Sequence, residues 1–298
     1  MKRGTKLLIL ALVLVLVGLG AWGISQLTDD GGTPMSQGDL LFSLEGVKNL
    51  SWTYGDRTIR FDISQEEWVN LDYPEYQITG QWKKAITDEI TQINSRKDIG
   101  KPGNLAAYGL AQPRCTVVAD DVTITIGNAN AMGNQVYFSM GDGKVYLVNS
   151  TILSPFTHSL EEMAVLEQIP DLSGATSIGI TTLQESFTVE KGENGWFLTD
   201  DVDLAVDQQI STGLFAHVKA LDWLKCVDCT QPDLAQYGLD NPAAVYQIAY
   251  EGGSFTILLG NSTDEGVYAM PQGGNMVYLV DATAGNAMLA MNTNDIIG

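Results

Sequence analysis

Apolar and polar residues alternate along Val47-Lys48-Asn49-Leu50-Ser51-Trp52-Thr53-Tyr54, pause at Gly55-Asp56, and alternate again along Arg57-Thr58-Ile59-Arg60-Phe61-Asp62-Ile63. A period of two on either side of a Gly-Asp pair predicts a β-hairpin with one buried face. Trp68 starts a third short strand. The period then changes. Behind Thr79, a residue suited to an N-cap, Trp82, Ile86, Ile90 and Ile93 fall four, four and three apart, which predicts a helix near 79–95 with one apolar side. Leu105-Ala106-Ala107-Tyr108 reads as a single helical turn, stopped by Gly109 and barred from extension by Pro113. Four short strands follow, around Cys115–Val118, Val122–Ile126, Val136–Met140 and Lys144–Val148, with Gly141-Asp142-Gly143 as the last hairpin turn.

The same order of features returns. Leu105 to Pro113 recurs as Leu234 to Pro242, a shift of 129 residues; Ile126-Gly127-Asn128 recurs as Leu259-Gly260-Asn261, and Val145 to Val148 as Val277 to Val280. Trp196 stands 128 residues after Trp68. Ile178 and Ile180, then Phe187 to Glu190, take the hairpin's places, and Gln272-Gly273-Gly274-Asn275 makes the last turn. Asp207 caps a second helix near 207–222, striped by Ile210, Leu214, Val218 and Leu221. These features predict a tandem α+β fold: two mainly antiparallel sheets, each with one principal amphipathic helix. The expected divisions are 1–27 (basic tip and apolar segment), 28–42 (flexible linker), 43–163 (first repeat) and 164–298 (second repeat).

The N-terminus adds a membrane to this picture. Lys2, Arg3 and Lys6 precede an uncharged run from Leu7 to Ile24, whose 18 residues span about 27 Å as a helix, near the bilayer core thickness. No acidic residue occurs before Asp29, so the positive-inside rule predicts a single-pass anchor in the cell membrane with the N-terminus cytoplasmic and the remainder outside. A cleaved signal peptide is the rival reading. The formal charge of −20 argues against nucleic acid as a partner.

Little in the chain carries chemistry. Gly18-Leu19-Gly20-Ala21-Trp22-Gly23 matches a dinucleotide fingerprint but lies inside the apolar run, without the strand–helix context. Cys226-Val227-Asp228-Cys229 has redox or half-zinc spacing, yet the chain has only His158 and His217 to complete a metal site. The pair is expected to follow the helix ending near Leu224, away from any helix N-terminus; Cys226 and Cys229 are candidates for a disulfide, which would leave Cys115 alone. Asp200, Asp201, Asp203 and Asp207 lack the spacing of a calcium loop. Trp52, Trp68, Trp82, Trp196 and Trp223 are expected in the core rather than on a carbohydrate-stacking surface. No catalytic residue, cofactor or metal site is assigned.

Taken together, the basic N-terminus, apolar segment and linker, Trp68 and Trp196, the paired Leu-Ala-x-Tyr-Gly-Leu-x-x-Pro segments, the Gly-Asn triplets and the Val-Tyr-Leu-Val strands resemble a bacterial family known as domain of unknown function 4340. The resemblance spans about residues 44–290, and the first copy departs at Ala111, where the second has Asp240. It implies an envelope protein, with some relatives similar to partners of ABC-type export systems. The expected function is therefore a non-enzymatic extracytoplasmic binding or scaffold module, accessory to an ABC-type transporter. An envelope hydrolase or thiol-redox enzyme, or a ligand or cation sensor, are the alternatives.

Overall fold

The structure is a computed structural model that describes residues 38–193, 195–199, 201–206, 216–218 and 221–297, with backbone alone in 201–205. The expected anchor at 7–24, the Gly18 to Gly23 motif, the linker up to 37 and the Asp207-capped helix through 215 lie outside the described residues. Among the described residues no helix is long and apolar enough to cross a membrane.

The first half contributes β1 (Leu40–Ser43), β2 (Asn49–Tyr54), β3 (Arg57–Asp62), β4 (Val69–Asn70), β5 (Gln92–Asn94), β6 (Lys97–Gly100), β7 (Cys115–Ala119), β8 (Val122–Ala129), β9 (Gln135–Ser139) and β10 (Val145–Asn149). The second contributes β11 (Ala175–Thr182), β12 (Ser186–Gly192), β13 (Gly195–Leu198), β14 (Asp201–Ala205), β15 (Trp223–Asp228), β16 (Ala244–Tyr250), β17 (Gly253–Ser262), β18 (Val267–Pro271) and β19 (Val277–Val280). Among the described residues the helices with both ends defined are α1 (Gly80–Ile90), α2 (Leu160–Met163), α3 (Leu234–Tyr237) and α4 (Ala282–Ala290), and residues 216–218 are also helical.

One antiparallel sheet is ordered β4-β3-β2-β7-β8-β9-β10-β6 and the other β14-β13-β12-β11-β16-β17-β18-β19-β15. Strand for strand the order is the same, with β14 as one further edge in the second. Register agrees as well. Leu50 faces Phe61 and Trp52 faces Ile59; Ile178 faces Val189 and Ile180 faces Phe187, each residue 128 further on. Asp62 faces Val69 as Glu190 faces Phe197, which gives the preceding Trp68 and Trp196 matching places. The fold is repeat-like, built of mostly antiparallel sheets with few helices.

Period-two alternation decides which face is buried. Leu50 and Trp52 in β2, Ile59 and Phe61 in β3, and Cys115, Val117 and Ala119 in β7 all point to the core side, and buried Ile86 and Ile90 of α1 belong to the same cluster. In the second half Ile178, Ile180, Val189, Tyr246, Ile248, Ile257 and Leu259 do the same. A single cluster of buried residues joins both sheets, from Phe42 to Ile296.

Three expectations change. The linker stops short of 42: Leu40 to Ser43 form β1, which pairs with β5 and buries Phe42, because an apolar Leu-Leu-Phe run gains more from pairing than from solvent. The first helix ends at Ile90 rather than 95; Ile93 stays buried but inside β5, captured by pairing with Phe42. Thr79 has the extended backbone of an N-cap without a side-chain cap bond. The helix expected to end near Leu224 does not reach it: residues 216–218 are helical, but Trp223 to Asp228 is the edge strand β15, paired with β19.

Candidate functional site

The residues shared by the two halves meet one another. Leu105 to Tyr108 and α3 are single helical turns, capped at the start by Asn104 and Asp233 and closed by Gly109 (φ 72°) and Gly238 (φ 68°) in the left-handed conformation. Each turn lies on the Gly-Asn triplet of its own sheet. A Cβ on Gly127 or Gly260 would run into the carbonyl oxygen of Tyr108 or Tyr237, and one on Gly109 or Gly238 into the side chain of Asn128 or Asn261. Tyr108 packs edge-on against Tyr137 at 4.8 Å between ring centroids, and Tyr237 against Tyr268 at 5.0 Å. The repeated motifs are thus the two sides of one packing contact, made twice.

A second repeated device escaped the sequence reading. Ser159 and Glu162 form a capping box at α2, and Asn292 and Asp295 form one at the turn Thr293–Asp295. The pairing Ile78–Ala164 likewise matches Val206–Ile297. Ser-x-x-Glu and Asn-x-x-Asp spacing was the available signal.

The Cys226-Val227-Asp228-Cys229 tetrapeptide sits where the halves join. β15 carries a bulge between Cys226 and Asp228, so Val227 is an extra residue and the alternation slips by one. Without the bulge, side chains three apart would face opposite ways; with it, Cys226 and Cys229 share the inward side, 6% and 0% exposed. Both are free thiols, as is buried Cys115. The Cys229 thiol donates to Glu161 Oε1 of α2 at 3.9 Å. Its hydrogen bond to Cys226, reinforced by burial, pushes the Cys229 pKa far upward, and burial pushes Cys115 up to about 12. At neutral pH the Cys115 and Cys229 sulfurs are protonated, and the thiolate is the form that attacks or ligates.

Polar groups around the pair hold the junction. Tyr76 Oη donates to the Asn275 carbonyl at 2.9 Å, Glu167 N–H to Tyr278 Oη at 3.1 Å, and Trp223 Nε1–H to the Glu167 carbonyl at 2.8 Å. Trp223 stacks on Tyr278 at 4.3 Å between centroids. Burial raises the Tyr76 phenol to about 12 and the Glu167 carboxyl above its ordinary value. Beside the junction lies a cleft of ≈ 240 Å³ lined by Arg57, Asn70, Asp72, Tyr73, Glu161 and Thr230 among others.

The remaining candidates are dispersed. His158 Nδ1 lies 3.0 Å from Glu162 Oε2 with its ring 4.3 Å from that of Trp82, while Ser159 Oγ accepts from Glu162 N–H and is committed to the helix cap. His217, half-buried, belongs to the other half. Asp200 and Asp207, and the side chains of Asp201 and Asp203, lie outside the described residues. Among the described residues no group of three or more His, Cys, Asp or Glu is placed to hold a metal ion. Trp52, Trp68 and Trp223 are buried, and Trp82 and Trp196 pack partly buried against the core.

Residues 196–297 match the family described as Domain of unknown function (DUF4340). The DUF4340 match begins at the β13 tryptophan and runs through β19 and α4 to the bridge at Ile297, so it takes in the Tyr-Gly-Leu turn, the Gly-Asn triplet, the thiol pair and the C-terminal capping box. No curated protein and no solved structure matches the chain.

Proposed function

We propose that this chain is a membrane-anchored, extracytoplasmic binding or scaffold module of the bacterial envelope, accessory to an ABC-type transporter, and that its first half is a diverged second DUF4340 domain. The observation that supports the second-domain reading is the closure of Gly127 on Tyr108 and of Gly260 on Tyr237, the same contact made in both halves. Residues common to the halves serve packing, which leaves the surfaces free to differ. The basic residues before the apolar run at 7–24 support the anchor and its orientation.

Copurification of the full chain from detergent-solubilised membranes tests the partner: a transporter permease recovered in stoichiometric amount is the expected result, and recovery of the chain alone counts against it. Protease added to spheroplasts should digest residues beyond 28; a protected C-terminal region would reverse the orientation. A second reading, thiol–disulfide chemistry, is favoured by the common facing of Cys226 and Cys229. Complementation with Cys226→Ala, Cys229→Ala, His158→Ala and His217→Ala, singly, separates the two. Lost function in a folded, abundant variant would replace the binding reading with a catalytic one.

A further inference from the structure

The cleft beside the junction holds charge and hydrogen-bonding capacity that the fold does not use. Arg57, Ile59 and Phe61 lie two apart on β3 and share its core-facing side, and Asn70 of β4 stands opposite Phe61 on that same side. Arg57 and Asn70 are therefore set apart by roughly 13 Å along β3, with buried Ile59 between them. The rest of the lining includes Leu160 and half-buried Glu161 of α2, and Thr230 just after Cys229. Asn70 is 1% exposed, and its Oδ1 accepts from the N–H groups of Asp72 at 2.9 Å and Tyr73 at 2.8 Å. Its Nδ2 has no hydrogen-bond partner among the described residues. Among those residues Trp52 Nε1 is the one side-chain polar atom both sealed and unpartnered, so the Asn70 amide is not sealed, and the space it opens to is the cleft it lines. A buried donor left unpaired is costly, and a ligand's acceptor removes that cost.

Opposite charges share this cleft without pairing. Arg57 donates to the Thr157 carbonyl at 2.9 Å and has no ion-pair partner among the described residues; Glu162, which feels its charge, is committed to Ser159 N–H and His158. Glu161 Oε1 accepts from Cys229, and its Oε2 has no hydrogen-bond partner among the described residues. Asp72 is neutralised by Arg60. What remains is a cation, an anion and an inward amide donor around an apolar floor of Ile59, Leu160 and the ring of Tyr73. At ≈ 240 Å³ the cleft is smaller than the roughly 300–1,000 Å³ that takes a drug-sized molecule. A chain of formal charge −20 repels a free anion but not a zwitterion, whose charges cancel. An α-amino acid carries both charges on one carbon and has no further carbonyl. A dipeptide sets them one residue, about 3.8 Å, further apart and adds a peptide carbonyl for a third partner.

We propose that this cleft binds a small apolar dipeptide with free termini, its carboxylate on Arg57, its ammonium on Glu161 and its peptide carbonyl on Asn70 Nδ2. The side chains lie on Ile59, Leu160 and Tyr73. Because Thr230 and the Cys229 contact of Glu161 belong to the junction, an occupied cleft also steadies the contact between the halves. The proposal does not rest on any envelope partner.

The test is calorimetric titration of the full chain in detergent with L-alanyl-L-leucine. A dissociation constant below about 1 mM is expected, weakened roughly tenfold by N-acetylation, by C-amidation, and in free L-leucine, which lacks the peptide carbonyl. Arg57→Gln and Glu161→Gln should each weaken the free dipeptide by a similar factor. Amidation should then cost nothing further in Arg57→Gln, and N-acetylation nothing further in Glu161→Gln, an exchange of preferences that a merely structural role would not produce. Absence of binding at about 10 mM dipeptide overturns the proposal, as do blocked dipeptides or L-leucine that bind as well as the free dipeptide. A Glu161→Gln protein that still discriminates against the N-acetylated form contradicts it as well.

Discussion

A single methyl group tests the repeated packing contact. Adding one at Gly127 or Gly260 sets a Cβ against a backbone carbonyl that has no side-chain freedom to move aside. Gly127→Ala and Gly260→Ala are each expected to lower stability by about 1–3 kcal/mol, read from urea midpoints at unchanged slope. Gly174→Ala is the control, because nothing lies within 4 Å of its added carbon; its effect should stay within about 0.5 kcal/mol. The thiols give a second check at this scale. Burial and protonation of Cys115 and Cys229 predict negligible alkylation by iodoacetamide at pH 8 until denaturant is added. Labelling of Cys229 in native protein within minutes would show that the junction opens, and labelling of Cys115 that the β7 core does.

Among elements, α2 is held by a reciprocal pair: Ser159 Oγ accepts from Glu162 N–H at 3.4 Å, and Ser159 N–H donates to Glu162 Oε2 at 2.9 Å. Ser159→Ala should cost about 1 kcal/mol in a chemical melt. An unchanged midpoint would mean that the turn is held by packing of Leu160 and Met163 alone. Much at this scale could be read in advance. The hairpin of β2 and β3, the four strands after each proline and the turns closed by Gly109 and Gly238 announce themselves through alternation and turn residues. The edge strands β6 and β15 do not. A bulge adds a residue without any compositional mark, so Trp223-Leu224-Lys225-Cys226 reads as a helix tail when its real periodicity comes from pairing with β19. Ile93 misleads for a related reason, since one apolar position satisfies both a helix stripe and a strand until its distant partner, Phe42, is known. The thiol pair was visible in the sequence, but its contact with Glu161, 68 residues earlier, was not.

For the whole molecule, one continuous core predicts one cooperative transition. Both halves should unfold together in calorimetry, with coincident fluorescence and circular dichroism curves; two resolved transitions would show independent domains. Alkaline pH should weaken this unit. Tyr76 and Tyr237 have phenols raised to about 12, chiefly by burial, as has the Cys115 thiol. Each must stay neutral when folded but ionises near pH 10, or near 8.5 for the thiol, once unfolded. Their contribution is complete below those values and disappears as pH climbs towards 12. The melting temperature should therefore hold to about pH 8 and fall steeply between roughly 10 and 12; a flat profile would contradict the burial of Tyr76 and Cys115 and the partial burial of Tyr237.

The uneven charge of the halves has a mechanical side. Residues 43–163 carry 15 acidic and 10 basic side chains and residues 164–298 carry 18 and 3, so one end is far more negative than the other and a field exerts torque on the molecule before any contact forms. Beside an anionic surface the second half swings outward and the first, with its Lys97 and Lys101 edge, swings in. Neighbouring molecules on one surface would then share an orientation before they touch.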